Sequence, residues 1–259
     1  GRGGSVACWL AMDDAGLSLL RLHDYRLLDM VAEQTLNCII RRGCNQGLSV
    51  ALCLSSSAPG RQLLCHNQHR LADLISEDTL NHWSDADTVL PSETHRTGGL
   101  SVAFWLSNCD AGQALLYRLA HLLSENALNR IVAAPPPSPW QTHGTRPAPV
   151  PVSVLLRKTS MWANQGVSVA FLLASCRQGA GGGLLFHDQN RLGSRISAAC
   201  LNHVVVQEGS SNHGLSVAFH LASTGPGLDL LVANKCQLAG LLSEDTLNHI
   251  VSSQRGGEG

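Results

Sequence analysis

Lysine is almost missing from this 259-residue chain, with Lys158 and Lys235 the only two. Arginine supplies the rest of the 18 positive residues against 19 acidic ones, leaving a net charge of −1. No net field draws such a chain onto a phosphate backbone or anionic lipid, so neither nucleic acid nor a membrane is the expected partner. Arginine favours planar, bidentate contacts of the kind found between proteins. Aromatics are also scarce, at 4%. A core alphabet of Leu, Val and Ala suits closely spaced short helices better than a β-sandwich.

Other absences narrow the class further. No apolar run approaches the roughly 20 residues that span a bilayer, and no Asn-x-Ser/Thr sequon is present. The nine cysteines are an odd number without a Cys-x-x-Cys pair, which argues against a disulfide framework or a zinc site. They read as small buried hydrophobes in a reducing compartment. The first residues carry neither an initiator methionine nor a secretory apolar core. The expectation is a soluble, cytoplasmic chain, including one delivered into a host cell as an effector, and one that can be a piece of something longer.

What is present is a repeat. Ser-Val-Ala occurs at Ser5, Ser49, Ser101, Ser168 and Ser216, each closely preceded by a glycine: Gly4, Gly47, Gly99, Gly166 and Gly214. Eleven positions after each serine stands another glycine: Gly16, Gly60, Gly112, Gly179 and Gly227. A Leu-Leu pair follows, and each copy closes on Leu-Asn at Asn37, Asn81, Asn129, Asn202 and Asn248. The serine-to-asparagine distance is 32 in three copies, 28 in the third and 34 in the fourth. Such small indels belong in turns.

The divisions are 1–43 for the first unit, 44–97 for the second with a polar extension, and 98–132 for the third. A Pro-rich inserted loop covers 133–165, the fourth unit 166–210, and the fifth unit with its tail 211–259. Adjacent copies start 44 to 52 residues apart where they abut. Each unit predicts three to four short helices. Serine caps the first, whose apolar run, Val102 to Leu106 in the third copy, implies burial on all sides. The glycine at offset eleven is expected to be the left-handed residue ending that helix. The Leu-Leu pair rides on a second helix, and a third begins near Asn67 in the second copy. Ser76 and Ser243, each followed by two carboxylates, start the last helix. The repeated asparagine is expected to brace neighbouring units, because a polar group held inside a stack must be paired.

The run from Gly214 to Ala222, followed by Gly227 and Leu230-Leu231, resembles the Gly-x-Thr-Pro-Leu-His-x-Ala-Ala, Gly and Leu-Leu skeleton of ankyrin repeats. The resemblance covers the first half of each copy. Ser-Val replaces Thr-Pro, and the unit is longer than the ankyrin length of roughly 33. It implies an all-α, right-handed or ankyrin-like α-solenoid of five diverged repeats that binds proteins and needs no cofactor. The segment Ser107 to Leu115 resembles the reading loop of TAL-effector DNA-binding repeats, but no basic stripe accompanies it.

Catalytic patterns dissolve into structure. Gly47-Leu48-Ser49-Val50-Ala51 is one residue from a nucleophile elbow, yet a catalytic serine is needed once and a helix cap in every unit. Gly179 to Gly183 lacks the Gly-Lys-Ser/Thr ending of a phosphate loop and reads as a loosened turn. His82, His203 and His249 follow the repeated asparagine, with Arg130 and Cys38 in the other copies. Helix C-terminal capping suits that mixture better than a metal row. No catalytic, metal or cofactor residue is assigned. The expectation is a non-enzymatic scaffold or adaptor that contacts a partner protein through Trp9, Trp105, His220, Tyr25, His69, Tyr117 and Asn190, with Cys53 and Leu172 at equivalent positions. The alternatives are the targeting arm of a larger secreted effector enzyme and a nucleic-acid-reading array.

Overall fold

The structure is a computed structural model. It describes residues 5–22, 25–41, 46–66, 68–84, 100–133, 165–176, 180–186, 191–207, 210–233 and 237–249, apart from the side chains of 66, 68, 69, 72 and 180–182. The described residues are all-helical, with no strand among them. The first unit runs α1 (Val6–Ala11), α2 (Asp14–Arg21), α3 (Arg26–Asp29) and α4 (Glu33–Asn37). The second runs α5 (Val50–Ser56), α6 (Ala58–His66), α7 (Gln68–Leu74) and α8 (Glu77–Asn81). The third has α9 (Val102–Ser107), α10 (Asp110–Leu119), a 3-10 turn (Ala120–Leu122) and α11 (Glu125–Asn129). The fourth has α12 (Val169–Ser175), α13 (Ala180–Phe186), a 3-10 turn (Gly193–Arg195) and α14 (Ala198–Asn202). The fifth has α15 (Val217–Ala222), α16 (Gly225–Val232), a 3-10 turn (Leu238–Leu241) and α17 (Glu244–Asn248).

Every first helix starts at its repeated serine, whose hydroxyl accepts from the backbone N–H three residues on, as from Ser101 to Phe104 N at 3.1 Å. The preceding Gly47, Gly166 and Gly214 sit at φ 84°, 78° and 79°, the left-handed region that glycine enters without penalty. Each of these turns is closed by a two-way backbone exchange. Ile40 N donates to Leu48 O at 2.9 Å and Gly47 N to Ile40 O at 2.7 Å, with the same pattern at Val132 and at Val205. The Val132 exchange with Val167 and Gly166 pins both ends of the Pro-rich insertion, whose residues 134–164 lie outside the described ones.

The glycine at offset eleven corrects the expectation of a left-handed helix end. Gly16, Gly60, Gly112 and Gly227 lie inside the first turn of the second helix, and Gly179 lies outside the described residues. Close approach is the reason for glycine here. A Cβ on Gly112 would press on Leu106 O and lie 2.8 Å from Leu106 Cα, and Gly16, Gly60 and Gly227 meet Leu10, Leu54 and Leu221 in the same way. The second helix is capped three residues before that glycine, by Asp13, Ser57, Cys109 and Thr224 in turn.

The third segment also departs from expectation. It is α-helical in the first two units and a 3-10 turn in the last three. In the third unit, four residues shorter from serine to asparagine than the second (28 against 32), the connecting turn is gone and α10 runs straight into the 3-10 turn. The glycine run beginning at 179 is helical from Ala180, not a loosened turn. Leu184 and Leu185 are buried, and their packing overrides the poor helix propensity of glycine.

Successive first helices α1, α5, α9, α12 and α15 pack each on the next, as do the second helices α2, α6, α10, α13 and α16. The last helix of each of the first four units packs on the first helix of its successor. The core therefore runs continuously along the chain, and α9 is buried at every position.

Candidate interaction surface

The junctions between units decide which side chains remain outside. Each repeated asparagine first ties to its own helix, as Asn81 Nδ2 does to Glu77 O at 2.9 Å. In the first four units its amide then crosses to the next unit. Asn37 donates to Leu74 O at 2.5 Å and accepts from Ser76 N at 2.9 Å. Asn81 meets Leu122 O and Ser124 N, Asn129 meets Arg195 O and Ser197 N, and Asn202 meets Leu241 O and Ser243 N, all between 2.7 and 2.9 Å. One primary amide thus satisfies a carbonyl and an N–H that the following helix start leaves over. Thr79 and Thr246 add a bond from Oγ1 back to the carbonyls of Asn37 and Asn202.

At two junctions the residue three past the serine of one unit meets the residue four past the serine of the next. Phe171 and His220 meet edge to face with ring centroids 4.8 Å apart. Cys8 and Cys53 share a side-chain hydrogen bond at the first junction, and that bond together with burial pushes the Cys53 thiol up. Two expected partner-contact residues are corrected by this geometry: Trp105 and His220 are buried, as are their counterparts Cys53 and Leu172. Their identities vary between copies because each fills a different junction. Trp9 is partly exposed at the outer end of the first unit, Tyr25 is half-buried beside α3, and Tyr117 is exposed on α10. Asn190 and the side chain of His69 lie outside the described residues.

A row that the sequence reading missed follows the Leu-Leu pair. Both leucines are buried in the second, third, fourth and fifth units, so the next residue, about 100° further round the helix, turns outward. The row reads Arg21, Cys65, Tyr117, Phe186 and Val232, all exposed or half-exposed. Arg21 donates to Gln62 Oε1 at 2.8 Å, and Cys65 Sγ donates to Ala111 O at 3.3 Å, so these side chains also lean on the following unit. Beside them Arg118 pairs with Asp73 at 2.9 Å and Arg70 with Asp29 at 3.6 Å, alternating the charge along this flank. The guanidinium of Arg130 lies 4.7 Å from the Trp83 ring centroid.

No protein-family model, no curated protein and no solved structure matches the chain. The surface must be interpreted from its own chemistry. Among the described residues, no helix is long and apolar enough to cross a membrane, and no three metal-ligating side chains come together. His82, His203 and His249 follow the last helices as C-caps, with Cys38 and Arg130 in the same place elsewhere. Burial lowers the His203 pKa from its ordinary value of 6.5. Burial also raises the Cys200 thiol to about 11, so this thiol stays protonated beside Ser168 Oγ at 3.1 Å. The cysteines are not uniformly buried, since Cys38 is exposed and Cys65, Cys109 and Cys176 are half-buried. Cys44 and Cys236 lie outside the described residues.

Proposed function

We propose that the chain is an α-solenoid of five units that works as a protein-interaction scaffold, with the second-helix ridge as its recognition face. The observation that carries this reading is the row Arg21, Cys65, Tyr117, Phe186 and Val232: one exposed or half-buried side chain per unit, each chemically different, following leucines that are both buried in the last four units. A backbone that repeats while one exposed position varies can be matched to a partner without disturbing the packing beneath. Arginine and aromatics are the side chains most often dominant in protein interfaces. The alternating ion pairs and the net charge of −1 give no continuous positive track for a phosphate backbone.

The test is affinity capture of cross-linked partners from lysate, comparing the native array with a Tyr117→Ala, Val232→Ser variant of unchanged helix content. A protein retained by the native array and lost with the variant is the expected result. Equal retention by both, or capture of nucleic acid alone, would overturn the proposal.

A further inference from the structure

The four junctions carry different residues at the same two positions, three past the serine of one unit and four past the serine of the next. These are Cys8 with Cys53, Leu52 with Trp105, Phe104 with Leu172, and Phe171 with His220. At the last junction the two positions touch, edge to face, with ring centroids 4.8 Å apart. At the first, α1 packs on α5 and the two positions hold thiols. Cys8 and Cys53 are each 2% exposed, both are free, and their side chains share a hydrogen bond. Among the described residues the third buried cysteine, Cys200, faces Ser168 Oγ instead, at 3.1 Å. The first junction alone therefore sets one sulfur against another inside the core.

We propose that Cys8 and Cys53 are a peroxide-oxidisable pair that closes into a disulfide and staples the first unit to the second. The two sulfurs have unequal roles. Cys53 donates the shared hydrogen, which holds the Cys8 thiol below its ordinary value of 9.0, while the same bond and burial push the Cys53 thiol up. The thiolate is the reactive form, so Cys8 is the nucleophile and Cys53 the resolving thiol. Enclosure on all sides demands a small, uncharged oxidant, and hydrogen peroxide, near water in size, meets that demand.

In the first step the Cys8 thiolate sulfur attacks one peroxide oxygen. The S–O bond forms as the O–O bond breaks, and the departing hydroxide takes up the proton that Cys8 lost, giving water and a sulfenic acid. Cys53 then loses its proton as its sulfur attacks the Cys8 sulfur. The S–S bond forms, the S–O bond breaks, and the hydroxide leaves with that proton as a second water. Two thiols are oxidised by two electrons and one peroxide is reduced to two waters. The bridge joins positions 45 apart in the chain, and closing such a loop removes freedom from the unfolded chain, so the oxidised junction is the firmer one.

The inference is independent of any partner on the second-helix ridge. The test treats the full chain with hydrogen peroxide, quenches it, blocks remaining thiols with iodoacetamide under denaturing conditions, and maps a tryptic digest by mass spectrometry. Trypsin releases Cys8 in peptide 3–21 and Cys53 in peptide 43–61. The expected product joins these two peptides, is lighter than their sum by two hydrogen atoms, fragments with the bond at Cys53, and disappears with dithiothreitol. Oxidation should raise the melting temperature of the native helical signal, and the reductant should reverse the rise. Cys8→Ala, which keeps a good helix former in place, should show neither the linked peptides nor the rise. Thiols still free at Cys8 and Cys53 when the exposed Cys38 is already oxidised would overturn the proposal. So would a bond from Cys53 to Cys44, or a Cys8–Cys53 bond formed only after the helical signal is lost, since the fold would not then have brought the pair together.

Discussion

What a glycine contributes depends on what its missing Cβ would meet. At Gly112 a methyl group would press on the backbone of Leu106, with Leu106 Cα 2.8 Å away, and backbone cannot swing aside as a side chain can. Gly112→Ala should cost about 1–3 kcal/mol in chemical denaturation through overpacking. At Gly183, also helical, nothing lies within 4 Å of the added carbon. There Gly183→Ala should stabilise by about 0.5–1 kcal/mol, because alanine loses less backbone freedom in a helix. Similar costs at both sites would contradict the close crossing of first and second helices. A second residue-level effect is titration. Burial favours the neutral form of His203, so the unfolded chain binds the proton more readily. Stability from this site is therefore present above the ordinary value of 6.5 and is lost as pH falls below it through the lowered folded-state value. The melting temperature should drop between pH 7 and pH 5, and the drop should shrink in His203→Gln. An unchanged drop would place the titration elsewhere.

Between elements, the repeated amide fastens one unit's last helix to the segment ahead of the next unit's last helix. Asn81→Ala removes two bonds across the second junction and leaves Leu122 O and Ser124 N without that partner. The expected loss is about 1–3 kcal/mol. Asn248 crosses no junction among the described residues, so Asn248→Ala should fall within about 0.5 kcal/mol of the native chain. Equal effects at the two positions would mean that the asparagine acts only within its own helix. The serines and asparagines were legible in the sequence because capping is a local signal and a fivefold recurrence separates structure from chance. The orientation of Trp105 and His220 was not legible. A helix that is apolar on every side has no preferred face in its sequence, so a varying position looks the same whether it meets a partner or a junction. Glycine was ambiguous for a related reason, since a left-handed turn and a close backbone crossing both select it. The outward row could have been found, because a residue following a buried pair on a helix must turn away from the core.

For the molecule as a whole, the proposed stack makes stability a sum over neighbours, not a property of one closed core. Among the described residues, a unit in the middle is packed on both sides, while the first and last are each packed on one. The exposure of Leu247 against the burial of Leu80 and Leu128 expresses that difference at single positions. Local opening should then follow position along the chain, because the free energy of opening tracks the apolar contacts that must be broken. Hydrogen exchange should find the slowest amides in α9 and α10 and the fastest in α17. Protection should decline from the third unit toward both ends. Asn81→Ala should speed exchange mainly in the first and second units, by weakening the junction that joins them to the rest. Uniform protection, rising and falling together with global stability, would instead mean that the units unfold as one cooperative body. A gradient would assign the cohesion of the molecule to its junctions.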